Sequence, residues 1–143
     1  MSTIKVNTLT GTTSVGSILV TGEGGVETTN LQQGLAKAWV NFDGTVVDGT
    51  ADLTGVRDSF NISAIVDNTT GDYRIDINND MNSTDYVVSG SGYDHTGTAD
   101  SYTVHMYHDL AAGSVEVNNV RPTNNASADT SYVGTTIHGD LAE

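Results

Sequence analysis

Four residues at alternate positions, Asp76, Asn78, Asp80 and Asn82, carry the oxygen ligands that a calcium loop uses. Such a loop also needs a glycine at its sixth place for the sharp turn and a glutamate at its twelfth to bind in bidentate fashion. Met81 and Val87 occupy those places, so the run reads as a strand end or hairpin. The four histidines are His95, His105, His108 and His138, and none stands in an HExxH or Glu-x-x-His pattern or has a carboxylate at ligand spacing. They are expected to pack at the surface or at an interface, the alternative being one histidine per subunit lining the axis of a symmetric trimer and holding an ion or anion. No metal set and no cofactor is assigned.

Nucleophilic chemistry fares no better. Val88-Ser89-Gly90-Ser91-Gly92 approaches a G-x-S-x-G elbow, but no helix follows the strand end on which it falls. Two carboxylates for glycoside hydrolysis are available in principle, because aspartate is abundant and the required separation is spatial. Glutamate is scarce beyond residue 36, however, and one tryptophan and two phenylalanines do not line a cleft. A small glycan-degrading enzyme therefore stays a third reading behind two non-enzymatic ones. Gly22-Glu23-Gly24-Gly25 has no following Lys-Ser/Thr and no βα unit around it, so it reads as a turn and not as a phosphate cradle. The absence of cysteine excludes disulfides, thiolate metal sites and a cysteine nucleophile.

Trp39, Tyr93, Tyr107 and Tyr132 could stack on a saccharide. Alternation places Trp39 within a strand and not in a loop, so Trp39, Phe42, Tyr73 and Tyr107 are assigned to core or subunit packing.

The elements that would carry these residues are strands. Ala38, Val40 and Phe42 alternate with Trp39 and Asn41, and Tyr73, Ile75 and Ile77 alternate with Arg74 and Asp76, the period of a half-buried strand. Asp67-Asn68-Thr69-Thr70-Gly71-Asp72 reads as a hairpin loop whose glycine takes a positive φ. Strands are expected near 37–42, 56–66, 72–78, 85–91, 101–107, 114–119 and 131–138. Phe60 and Ile62 share a parity that Ile65 breaks, which a bulge near Ser63-Ala64 would repair. Strand 101–107 is apolar on both faces, and the segment 123–129, with no apolar period, reads as an outer loop.

These spacings predict an all-β fold, an antiparallel β-sandwich of jelly-roll-like type over 36–143, with an extended N-terminal arm over 1–35. In the arm a few apolar residues stand among Thr, Ser and Gly, too few to close a core. Ile4, Val6, Ile18 and Val20 are the candidates for anchoring it to another subunit or protein. Residues 31–37 form a connector in which Gly34 weakens any helical turn.

Composition limits the partners. With a formal charge of −13, a pI near 4.2 and only five Lys and Arg, the chain is not suited to nucleic acid or to an anionic membrane surface. No apolar run reaches the about 18 residues of a membrane span, so no membrane insertion is expected. The first residues lack a charged n-region followed by an apolar stretch, so the chain is expected to stay in the cytoplasm that makes it. An apolar fraction of 36% leaves a thin core, which oligomerisation would supplement.

Lys37 to Phe42, Asp43-Gly44-Thr45, Arg57 to Asn61, Gly71-Asp72-Tyr73 and Tyr86-Val87-Val88 together resemble a module found in tail-fibre-like and other structural proteins of marine bacteriophages. Ser2-Thr3-Ile4-Lys5-Val6-Asn7 is similar to the start of such proteins. Met81-Asn82-Ser83-Thr84-Asp85 departs from the module, which usually carries a Met-Pro-Asp-Ala-Asn-like stretch, and the likeness fades after Asp94. The resemblance implies a non-enzymatic virion protein, a tail fibre-like or capsid-decorating appendage assembled in the host cytoplasm. It would be a homotrimer attached to other virion proteins through the arm. Tyr93, Asp94, His95, Asn124 and Asn125 are the candidate exposed residues for meeting the host surface, including a surface glycan. The alternative is a carbohydrate-binding β-sandwich module.

Overall fold

The computed structural model describes residues 4–10, 18–21, 25, 28–94 and 102–142. The chain divides into two compact units, Met1–Leu35 and Ala36–Glu143.

In the first unit, β1 (Leu19–Thr21) and β2 (Thr28–Asn30) pair antiparallel as a two-stranded ribbon. The Leu31 amide closes it by donating to the Ile18 carbonyl at 2.8 Å. The arm is thus not simply extended: part of it folds back on itself. The Asn30 side chain then accepts from the Gln32 and Gln33 amides, winding residues 31–34 into a turn in place of a helix.

The second unit is an antiparallel β-sandwich, with no helix among the described residues. Its strands are β3 (Ala38–Phe42), β4 (Val56–Phe60), β5 (Ile62–Thr69), β6 (Asp72–Ile77), β7 (Val87–Tyr93), β8 (Tyr102–Ala111), β9 (Ser114–Val120) and β10 (Tyr132–His138). They join in the order β4-β3-β10-β7-β8-β9-β6-β5. Consecutive β7, β8 and β9 are neighbours and β10 returns beside β7, a Greek-key connection. The start of β8 pairs with β7 and the remainder with β9, so β8 passes from the β4-β3-β10-β7 layer to the β9-β6-β5 layer.

The inward faces follow the alternation. Ala38, Val40 and Phe42 on β3, Tyr73, Ile75 and Ile77 on β6, and Val115 and Val117 on β9 fill the space between the layers. Phe42 meets Tyr73 edge to face with centroids 5.1 Å apart, the arrangement that ring quadrupoles favour. Burying each such side chain contributes about 1.5–3 kcal/mol.

The chain changes layers at Asn61. This residue adopts φ 58, a left-handed conformation that asparagine tolerates better than branched residues do. Its amide nitrogen donates to the carbonyls of Lys37 and Asn79, and its side-chain oxygen accepts from the Asn79 amide at 2.7 Å. The register then shifts between Ile62 and Ala64, where a bulge was expected. One expectation is corrected at this corner. Phe60 and Ile62 share parity in sequence, yet Ile62 is buried and Phe60 is 52% exposed, because the turn at Asn61 inverts the direction of the faces.

Candidate functional site

On the outer face of the β4-β3-β10-β7 layer an aromatic side chain lines a concavity. Trp39 on β3 stands opposite Thr136 on β10, which stands opposite Ser89 on β7; Asn41, Gly134 and Ser91 form the next row. These residues line an open trough of about 380 Å³. A Cβ built on Gly134 would meet nothing within 4 Å, so the floor of the trough is backbone with free space above it. The hydroxyls of Ser89 and Thr136 bond to each other at 2.8 Å. Phe60, opposite Trp39 on β4, extends the aromatic rim. Trp39 is therefore half-buried on an outer face, outside the core, whereas Phe42 and Tyr73 are fully buried within it. Tyr107 pairs with the buried Val117 but remains 47% exposed.

The far end of the same layer gathers Tyr93, Tyr132 and Arg57. Tyr93 and Tyr132 are cross-strand partners with ring centroids 6.2 Å apart, and the Arg57 guanidinium lies 4.2 Å over the Tyr132 ring. Arg57 also pairs with Asp43 at 2.9 Å and donates to the Ser131 carbonyl. Asp94 accepts from the Ser131 hydroxyl at 3.2 Å. Tyr93 and Asp94 are thus tied into one polar and aromatic patch; His95 lies outside the described residues.

Asn124 and Asn125 occupy the tip of the β9–β10 connection. The Asn124 side chain accepts from the Ala126 amide, and Asn125 takes φ 56 while donating its amide proton to the Arg121 carbonyl. Only this tip is an outer loop. Ala128 and Thr130 are buried, so the second half of the segment read as loop turns inward. Asp129 accepts from the Gly71 amide at 2.6 Å and from the Tyr73 hydroxyl at 2.9 Å. The sequence hid this because the buried residues are small or polar and leave no apolar period.

Beside it runs a polar chain through the core. His105 Nδ1 faces Asn119 Oδ1 at 2.9 Å, His105 Nε2 faces the Thr135 hydroxyl at 3.1 Å, and Asn119 donates to Thr130. Burial pushes His105 below the ordinary histidine range, against a smaller opposing effect of Asn119. Burial, then Asp129, Asp72 and Asp48, push Asp67 above the usual carboxylate range.

On the outer face of the other layer, Asp72, His108 and Glu116 converge from β6, β8 and β9, each half-buried. Burial disfavours the charged imidazole of His108, but Asp109, Asp72 and Glu116 outweigh it and hold its pKa above the ordinary value. No carboxylate was at ligand spacing in the sequence; the strand register supplies two. The calcium-like run does not behave so: Asp76 pairs with Arg74 on β6, and Met81 is buried in the core.

Comparison with family models, curated proteins and solved structures gives no match to this chain.

Proposed function

We propose that this chain is a non-enzymatic structural protein of a bacteriophage virion, a surface appendage that attaches through residues 1–35 and presents its β-sandwich outward. The observation that supports this reading is the placement of apolar side chains in the first unit. Ile4 is 85% exposed, Leu19 61% and Val20 49%, and Val6 and Leu9 are exposed as well. Of the anchoring candidates only Ile18 is half-buried. Exposed apolar side chains at residues 4–9 and on β1 are the kind of surface that a partner covers, and a two-stranded ribbon offers strand edges to it. A homotrimer would supply that cover from its own copies and other virion proteins would supply the rest.

Measuring solution mass for the full chain and for a chain beginning at Ala36 tests the reading. A trimer that becomes a monomer on truncation is the expected result. A monomer in both cases overturns the trimer.

The Trp39 trough favours a second reading, a carbohydrate-binding module. An aromatic ring beside hydroxyl and amide groups on an open face suits the stacking and hydrogen bonding of a sugar ring. Glycan-array binding that is lost in Trp39→Ala, in a chain that is monomeric at full length, would select this reading. Glycan binding by a trimer would instead assign the appendage a role in host-surface recognition.

A further inference from the structure

We propose that Asp72, His108 and Glu116 form a binding site for a divalent transition-metal ion with the ligand preference of zinc. The pairing of three adjacent strands builds it. Glu116 on β9 lies directly opposite His108 on β8 and Arg74 on β6, and Asp72, two residues before Arg74, shares that face. One ligand atom from each of the three residues lies within 4.8 Å of the others. His108 Nε2 and Asp72 Oδ1 are 3.3 Å apart; Glu116 Oε2 lies 3.7 Å from the other ring nitrogen, Nδ1, so the Glu116 carboxylate has to swing toward Nε2 to share the ion. Two ligands of a tetrahedral ion with bonds of about 2.0–2.1 Å stand roughly 3.3–3.4 Å apart, so the first separation already suits a shared ion.

A separate observation concerns the carboxylate of Asp72. Asp72 Oδ1 is shielded from solvent and has no hydrogen-bond partner. A carboxylate oxygen removed from water is retained at low cost only if something positive faces it. His108 is the nearest such group, and a cation between the two would satisfy both. The nearby Arg74 guanidinium is held by both oxygens of Asp76, which leaves Glu116 to face His108.

The donor set selects the ion. One imidazole with two carboxylates fits zinc, cobalt or nickel, whereas calcium requires 6–8 oxygens, roughly, in its first sphere. Three protein ligands leave at least one position for water or for a ligand from another molecule.

The same geometry would also hold a protonated His108, with Asp72 on one ring nitrogen and Asp109 and Glu116 toward the other. Titration calorimetry of the full chain with zinc chloride at neutral pH separates the two. The expected result is one zinc ion per chain, with a zinc-dependent rise in melting temperature. Affinity should fall by at least about tenfold in His108→Ala, Asp72→Asn and Glu116→Gln, since even outer-sphere changes cost that much at zinc sites. His138→Ala, on the other layer, should leave it unchanged. Melting curves without zinc establish that each variant is folded, and tetrahedral cobalt absorption gives a second readout. Absence of zinc binding, or binding that survives His108→Ala and Glu116→Gln, overturns the proposal and leaves the cluster as an ion pair only.

Discussion

Tyr73 and Asp129, 56 positions apart, are joined by a hydrogen bond of 2.9 Å in which the buried phenol donates to the carboxylate. The same carboxylate oxygen accepts from the amide of Gly71, so a single side chain from the β9–β10 connection closes both the β5–β6 hairpin and the end of the core. The arrangement also explains why burial, with Asp129 and then Asp67 beside it, pushes the Tyr73 hydroxyl far above the usual phenol range.

Removing Asp129 should therefore cost more than removing the tyrosine hydroxyl. Tyr73→Phe is expected to lose about 1 kcal/mol, the net worth of one hydrogen bond. Asp129→Ala orphans the Gly71 amide and leaves the phenol only the Gly44 carbonyl, 3.2 Å away, and about 2–4 kcal/mol is expected. Urea midpoints with unchanged slopes are the measurement; equal losses in the two variants would refute this account of Asp129.

Gly71 adopts φ 71, and a Cβ on it would lie 2.5 Å from the Ala128 amide nitrogen. Gly71→Ala combines left-handed strain with a backbone collision, so a loss of about 2 kcal/mol or more is expected. Thermal melting of the full chain would show it, whereas an unchanged melting temperature would mean that Ala128 yields freely.

At the layer-crossing corner, backbone conformation and side-chain bonding can be separated. Asn61→Gly keeps the left-handed φ but loses the three side-chain bonds; Asn61→Ala loses the bonds and strains the backbone as well. Stability should fall in the order asparagine, glycine, alanine, with glycine and alanine separated by about 1 kcal/mol. Chemical denaturation of the three proteins checks the order.

His105 makes the fold sensitive to acid. Its folded pKa lies below the ordinary value of 6.5, first because of burial, so below that value the unfolded chain takes up a proton that the native chain refuses. Stability then rises with pH through that window and is lost as pH falls toward the folded pKa. His108 has the opposite sign, because its folded pKa is raised and its contribution is lost as pH rises through it. Comparing urea midpoints of the wild type and His105→Gln between neutral and mildly acidic pH isolates the first effect. The acid-induced decline should be shallower in the variant.

Much of this fold was legible in the residues because its strands are half-buried. A face that must alternate between core and water writes its period into the sequence, as Ala38-Trp39-Val40-Asn41-Phe42 does on β3. Even the bulge after Ile62 was visible as a break in that period. Phe60 was misread because a single left-handed residue can invert the faces without altering the alternation. The polar sites were illegible for a different reason. Asp129 reaches Tyr73, and Glu116 reaches His108, only through strand register, and no local spacing encodes a contact made across neighbouring strands.

The pairing of β3 with β10 has a mechanical consequence. These are the first and last strands of the sandwich and they run antiparallel, with Ala38 beside Ile137 and the Lys37 amide bonded to the Ile137 carbonyl. The points where the chain enters and leaves the sandwich therefore sit side by side. Tension between them would first pull residues 140–142 off their bonds to Asp80 and Asn82 and then part the β3–β10 ladder like a zip, one bond at a time, while load borne at the entry point alone leaves that ladder unstressed. The pole carrying Tyr93, Tyr132 and Arg57 is at the other end of the same strands. A sandwich wired in this way tolerates pulling from a single tether better than being stretched between two.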